Sequence, residues 1–213
     1  MISECVPNHA LPHTGATWRV FWVPRRTRRP GRCAVTCSIG GEIPIHLQAF
    51  FPRLLPQAIA WAEAVAADVI TRGTALNALR VADARVVGVQ QPENIRVLLV
   101  DRLPLPADPD LQAAAVHTGL LGPTVTGLTL GYAMLICHGH LSRRVLSHEC
   151  RHVAQFEQVG SIATFLPADL SSIVRVGYWN CPFEQDACAH ELPDASPHLT
   201  TASPADEERS HTP

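Results

Sequence analysis

The chain has no lysine. All 17 of its basic residues are arginine, which reads as the codon bias of a GC-rich genome and not as a nucleic-acid-binding surface. It has little net charge, −2 with histidine neutral, so no polyanionic partner is implied. Membrane insertion finds little support in its least charged stretch. Leu111 to Ser142 has no Asp, Glu, Lys or Arg, yet Gly119, Gly122-Pro123, Gly127 and Gly131 break it. No unbroken apolar piece of it approaches the roughly 20 residues a spanning helix needs. The start "MISECVPNHALPHTG" has no basic n-region, so no secretory signal is expected. Seven cysteines, an odd number, exclude complete intrachain pairing, and reduced thiols in a cytoplasm are the expectation. Cys33-x-x-x-Cys37 has no matching second pair and is weak as a metal site. Also missing are a glycine-rich phosphate loop, a Ser-His-Asp order, a basic recognition helix and any internal repeat.

What is present suits one domain with tails: 213 residues, 46% of them hydrophobic. The charge is uneven. Residues 1–32 hold six Arg against Glu4, whereas Glu184 to the end holds seven acids against Arg209. Residues 1–54 read as an Arg-rich arm, loosely attached, with Trp18, Phe21 and Trp22 beside the Arg25–Arg29 run expected to dock it. Residues 55–191 read as the folded domain and 192–213 as an acidic, disordered tail. Within the domain, a helix is predicted from Pro56, whose ring suits a first turn, with apolar Ile59, Ala62, Val65, Ala66, Val69 and Ile70 three and four apart. "NIRVLLVDRLPLP" reads as a strand, and a short helix follows it, capped by Asp108 or Asp110. A second strand is predicted over Leu128 to Cys137. The next helix starts at the cap Ser142 and stops at Gly160, further helical segments lie around Pro167, and another helix opens at Pro182. The expected class is therefore α+β, with a short mixed sheet and mostly helical structure elsewhere.

The chemistry concentrates in "LSHECRHVAQFE". His148-Glu149-Cys150-Arg151-His152 matches H-E-x-x-H, for which random placement of this composition predicts roughly 0.03 occurrences. On a helix, residues four apart share a face one turn apart, so both imidazoles can reach one cation. Glu149 lies about 100° around the helix, beside such a cation, where it can take a proton from a water. Cys150 faces away from the pair. A catalytic zinc takes three protein ligands, so a third is expected from elsewhere. The candidates are Glu184, Asp186, Glu191, His138, His140 and His190, with Glu184 in "NCPFEQDACAHE" preferred because it opens a helix 32 residues beyond His152.

These residues carry a resemblance. His148-Glu149-x-x-His152 with the later Glu184-x-x-Ala187 resembles the gluzincin zinc metallopeptidases, in particular compact minigluzincin-like bacterial proteins. Supporting segments are Gly127-Leu128-Thr129-Leu130-Gly131, Arg144-Val145-Leu146, Gln155-Phe156-Glu157, Gly177-Tyr178 and Pro182 to Ala187. The resemblance covers about residues 55–190, and only H-E-x-x-H is sharply diagnostic in it. It implies a zincin-like domain, Zn2+ held by His148, His152 and Glu184, Glu149 as general base, and a peptide substrate extended along the edge strand Leu128–Cys137. Many gluzincins carry Asp directly after E-x-x-A, where this chain has Cys188. Under that mechanism Tyr178, six residues before Glu184, is the candidate donor to a developing oxyanion; otherwise it is an aromatic packed beside Trp179. The alternative function is a zinc-stabilised binding domain with little or no hydrolysis, and a third reading is an interaction protein without metal.

Overall fold

The computed structural model describes residues 45–194, with side chains from Phe51 onward. The Arg25–Arg29 run, the Trp18 cluster, the Cys33/Cys37 pair and all but the first residues of the acidic tail lie outside that span. The class is α+β: six helices and a small mixed sheet of four strands among the described residues. Chain order is α1 (Ile45–Arg72), β1 (Thr74–Ala75), α2 (Ala78–Val86), β2 (Arg96–Val100), α3 (Pro109–His117), β3 (Gly127–Leu130), β4 (Ala133–Cys137), α4 (Arg143–Glu157), α5 (Ile162–Val176) and α6 (Pro182–Ala189). Helix α1 starts at Ile45, inside the stretch expected to be arm, and carries Pro52 and Pro56 within it. A proline marks where a helix is free to begin, and here the helix simply begins earlier.

The predicted strand over Leu128 to Cys137 is two strands. Leu130 pairs with Ala133 across a two-residue turn, and Gly131 takes φ +67° at its first position, as a type II′ hairpin requires. Strand order is β1-β2-β4-β3, with β2 and β4 parallel and the outer pairs antiparallel. The strand directly before α4 is therefore interior, and among the described residues the edges are β1 and, beside β4, β3.

Both faces of the sheet are covered, which is why β4 reads as a nearly continuous apolar run. Ala133 and Leu135 pack into one core with Leu54, Ala58, Ala62 and Val69 of α1. Met134 and Ile136 pack into a second core with Leu146, Cys150 and Val153 of α4. The Phe51–Arg72 segment is long and apolar enough to pass for a membrane span by composition, but here its small residues form the wall of the first core. Helix α4 follows from local chemistry. Ser142 Oγ accepts from the Val145 amide at 3.2 Å, and the buried residues recur every three to four positions, so one stripe faces β4. Arg143 on the neighbouring face grips Asp83 of α2 with two hydrogen bonds of 2.6 and 2.9 Å.

Candidate metal centre

Anchoring one stripe of α4 against the sheet fixes where the rest of the helix points. His148 and His152 sit one turn apart with ring centroids 5.0 Å apart, and both face α6. There Pro182 occupies the first turn and sets Glu184 near the helix start, a position suited to an acid. His148 Nε2 lies 3.5 Å from Glu184 Oε2, and His152 Nε2 lies 3.4 Å from Glu184 Oε1. One ligand atom from each of the three residues falls within 4.8 Å of the other two. The structure thus brings His148, His152 and Glu184 together. His138 and His140 lie exposed in the turn before α4, and His190 turns back to the Asp186 carbonyl.

The other ring nitrogens are engaged, and this decides what the Nε2 atoms can do. His148 Nδ1 is 3.2 Å from Glu191 Oε1, and Arg144 Nε holds the second Glu191 oxygen at 2.5 Å. His152 Nδ1 is 2.9 Å from Gln155 Oε1. The Gln155 amide nitrogen donates to the Phe183 carbonyl and to Asp186, so its oxygen must be the atom that faces His152. Both Nδ1 atoms therefore donate, and in the neutral rings both Nε2 atoms present lone pairs toward Glu184. Two imidazoles of fixed tautomer and restrained orientation, joined by one carboxylate, could hold a divalent cation. Asp186 reaches His152 only through Gln155, and its main partner is Arg151, at 2.7 and 3.1 Å. Glu191, and not the residue at position 188, is the carboxylate that restrains the His148 ring. Cys188 stands with His148 and Glu191 in a second cluster, on the far side of the same ring.

The electrostatics follow from the crowding of acids. Burial opposes charge on His148. Hydrogen bonds with Cys188, Glu184 and Glu191 and the field of Glu149 outweigh it and raise the pKa to about 12. Burial likewise opposes charge on His152, but Glu184 and Glu149 raise it to about 9 against the like charge of His148. Glu184 is held far below the usual carboxylate range because its two histidine hydrogen bonds exceed the cost of its burial. Without a cation, the acids around the two rings hold both imidazoles toward the charged form.

Glu149 is buried, 7% exposed, and leans on the edge strand. Thr129 Oγ1 donates to its Oε2 at 2.7 Å, and among the described residues Oε1 has no such donor. The carboxylate lies against Gly127, where a Cβ would come within 2.8 Å of Glu149 Cδ. Gly127→Ala is thus expected to push the carboxylate off its seat; should Glu149 serve as a catalytic base, turnover would fall about 10²-fold with metal content unchanged. Steady-state kinetics with metal analysis on the same preparation checks this, and equal turnover would show that the seat is unimportant.

Tyr178 lines the same cavity as Glu149, His152 and Glu184. Burial first, then the carboxylates of Glu184 and Glu149, push its pKa well above the ordinary tyrosine value, so the hydroxyl keeps its proton and remains a donor. It also packs edge-on to Trp179 at 5.3 Å, as the packed-aromatic expectation has it. The cavity, about 120 Å³, wraps the β3 edge and continues between α1, α3 and α5 over apolar side chains such as Leu54, Trp61, Leu121 and Phe165. Sequence reasoning missed Gln155 as the partner of His152 and Asp169 of α5 as a third carboxylate in the cavity. Gln155 had a signal, three residues after His152 on the same helix; Asp169 had none. Comparison with protein-family models, curated proteins and solved structures finds no match to this chain.

Proposed function

We propose that this chain is a metal-dependent peptide hydrolase of zincin-like organisation, with zinc held by His148, His152 and Glu184. The observation that carries the reading is the convergence of two Nε2 atoms on one carboxylate, with Glu149 alongside on the edge strand. Three protein ligands leave one position for water or substrate. When bound, the cation supplies Lewis acidity that acidifies water and polarises a carbonyl.

The protein's own groups do the remaining work. Thr129 pins Oε2 of Glu149, so Oε1 is the atom that accepts a proton from the attacking water and passes it to the leaving amine. The Tyr178 hydroxyl, kept protonated, donates to the oxyanion as charge develops on it. The outer edge of β3 offers backbone groups along which an extended peptide can pair, as strand addition does elsewhere. The apolar cavity beyond excludes water from the reacting groups.

The full chain, purified without chelators, is expected to hold about one equivalent of zinc and to cleave members of a quenched fluorescent peptide library. Stripping the metal should abolish cleavage, and zinc should restore it. Uptake below about a tenth of an equivalent after reconstitution would end the metal reading. Full uptake with no cleavage would favour the zinc-stabilised binding domain.

A further inference from the structure

Asp169 is the carboxylate in the cavity that neither the three ligand positions nor the base position uses. It lies on α5, 8% exposed, and lines the cavity together with Glu149 and Glu184. Its Oδ1 accepts only from the Cys181 thiol, at 3.5 Å, a weak donor. Among the described residues Oδ2 has no hydrogen-bond partner and no buried side-chain oxygen lacks one, so Oδ2 keeps exposed surface on a residue that lines the cavity. Among the described residues no arginine lines that cavity, and the chain has no lysine. A buried carboxylate with an unpartnered oxygen on the wall of an apolar cavity calls for a cationic or strongly donating group from a ligand.

Position then selects the ligand. Its partner Cys181 is the cap residue of α6, three positions before Glu184, and Asp169 lines the cavity with His152 and Glu184, which places it at the metal end. The other end runs along α1 from Phe51 to Trp61, about 15 Å at the rise of a helix, and its α1 lining is apolar throughout. A long basic side chain would carry its charge into that apolar end. An α-ammonium, two bonds from the carbonyl that reacts, keeps its charge near the metal and sends its own side chain into the groove.

On the hydrolase reading above, we propose that Asp169 receives the free N-terminal ammonium of a peptide whose first side chain is large and apolar. The centre then removes residues one at a time from an amino terminus.

The test is a binding measurement that needs no turnover. Phenylalaninol and N-acetylphenylalaninol, in which a CH2OH group replaces the carbonyl that would be attacked, are titrated into the zinc-loaded full chain by calorimetry at neutral pH. The free amine is expected to bind about 10–100-fold tighter, the 1.5–3 kcal/mol of a charge-assisted hydrogen bond at about 1.4 kcal/mol per decade. Asp169→Asn keeps the size and the acceptor for Cys181 and should erase that difference. Equal affinities for the two compounds, no measurable binding of phenylalaninol, or a difference that survives Asp169→Asn would each overturn the proposal. The comparison of the two compounds on the wild type needs no variant, so a variant that failed to fold would not shield the idea. Absence of peptide cleavage would count against the hydrolase reading alone, because the two affinities are read independently of it.

Discussion

Glu149→Gln is expected to lower turnover about 10²–10⁴-fold while leaving the metal in place. The amide fills the same volume and its oxygen still accepts from Thr129, so the edge strand should keep its seat for the side chain. What the amide lacks is basicity: it accepts no proton from water near neutral pH. The three ligand positions lie on other side chains, at His148, His152 and Glu184, so their geometry does not depend on the Glu149 charge. The measurement is kcat on a cleaved peptide together with metal content of the same sample. A variant that retains full turnover would remove Glu149 as the base. A variant that loses its metal would mean the carboxylate is a ligand, with the mechanism redrawn accordingly.

Metal affinity is expected to fall steeply with acid, by about 10²-fold per pH unit below pH 8, because two protons compete with each cation. The sign follows from the metal-free site. There His152 titrates at about 9 and His148 at about 12, so both rings are protonated at neutral pH. A cation needs both Nε2 lone pairs and must displace both protons; Glu184 and Glu191, held low, are already ionised and release none. Calorimetry of zinc uptake in buffers of different ionisation enthalpy reads the proton count directly, and fewer than about one proton released would contradict the assignment of both rings. Stability without metal should run the other way. Histidines raised above their unfolded value of about 6.5 stabilise the fold fully below that pH. That contribution is lost as pH rises through about 9 for His152. Metal-free protein should therefore melt at lower temperature as pH rises from neutral through that point.

How much of this was legible depended on whether the information was local. The cap at Ser142, the apolar Val145, Leu146, Val153 and Phe156, and the stop before Gly160 are all short-range; α4 runs from that cap to Glu157, with Leu146 and Val153 of those four buried and Cys150 joining them. Pro182 announced α6, and the presence of one acid early in it was enough to prefer Glu184 over its rivals. The hairpin was hidden because the run from Leu128 to Cys137 is apolar for most of its length, and only a backbone angle at Gly131 divides it. The start of α1 departs from expectation because a proline permits a helix to begin without requiring it. The groups that orient the rings are a different matter. Glu191 reaches His148 across 43 positions of sequence, and Asp169 enters the cavity from a helix whose local pattern is that of any packed surface. Proximity of that kind is produced by packing, and a linear pattern holds no trace of it.

Helix α6 has eight residues, too few to persist alone in water. Its grip on α4 is largely ionic and amide chemistry: Arg151 on Asp186, Gln155 on the Phe183 carbonyl, and Arg144 on Glu191 just beyond its end. The carboxylate that closes the trio thus rides on a latch whose holding force weakens with ionic strength. On the metal reading, release of a cation is expected to quicken with salt as that short segment unlatches.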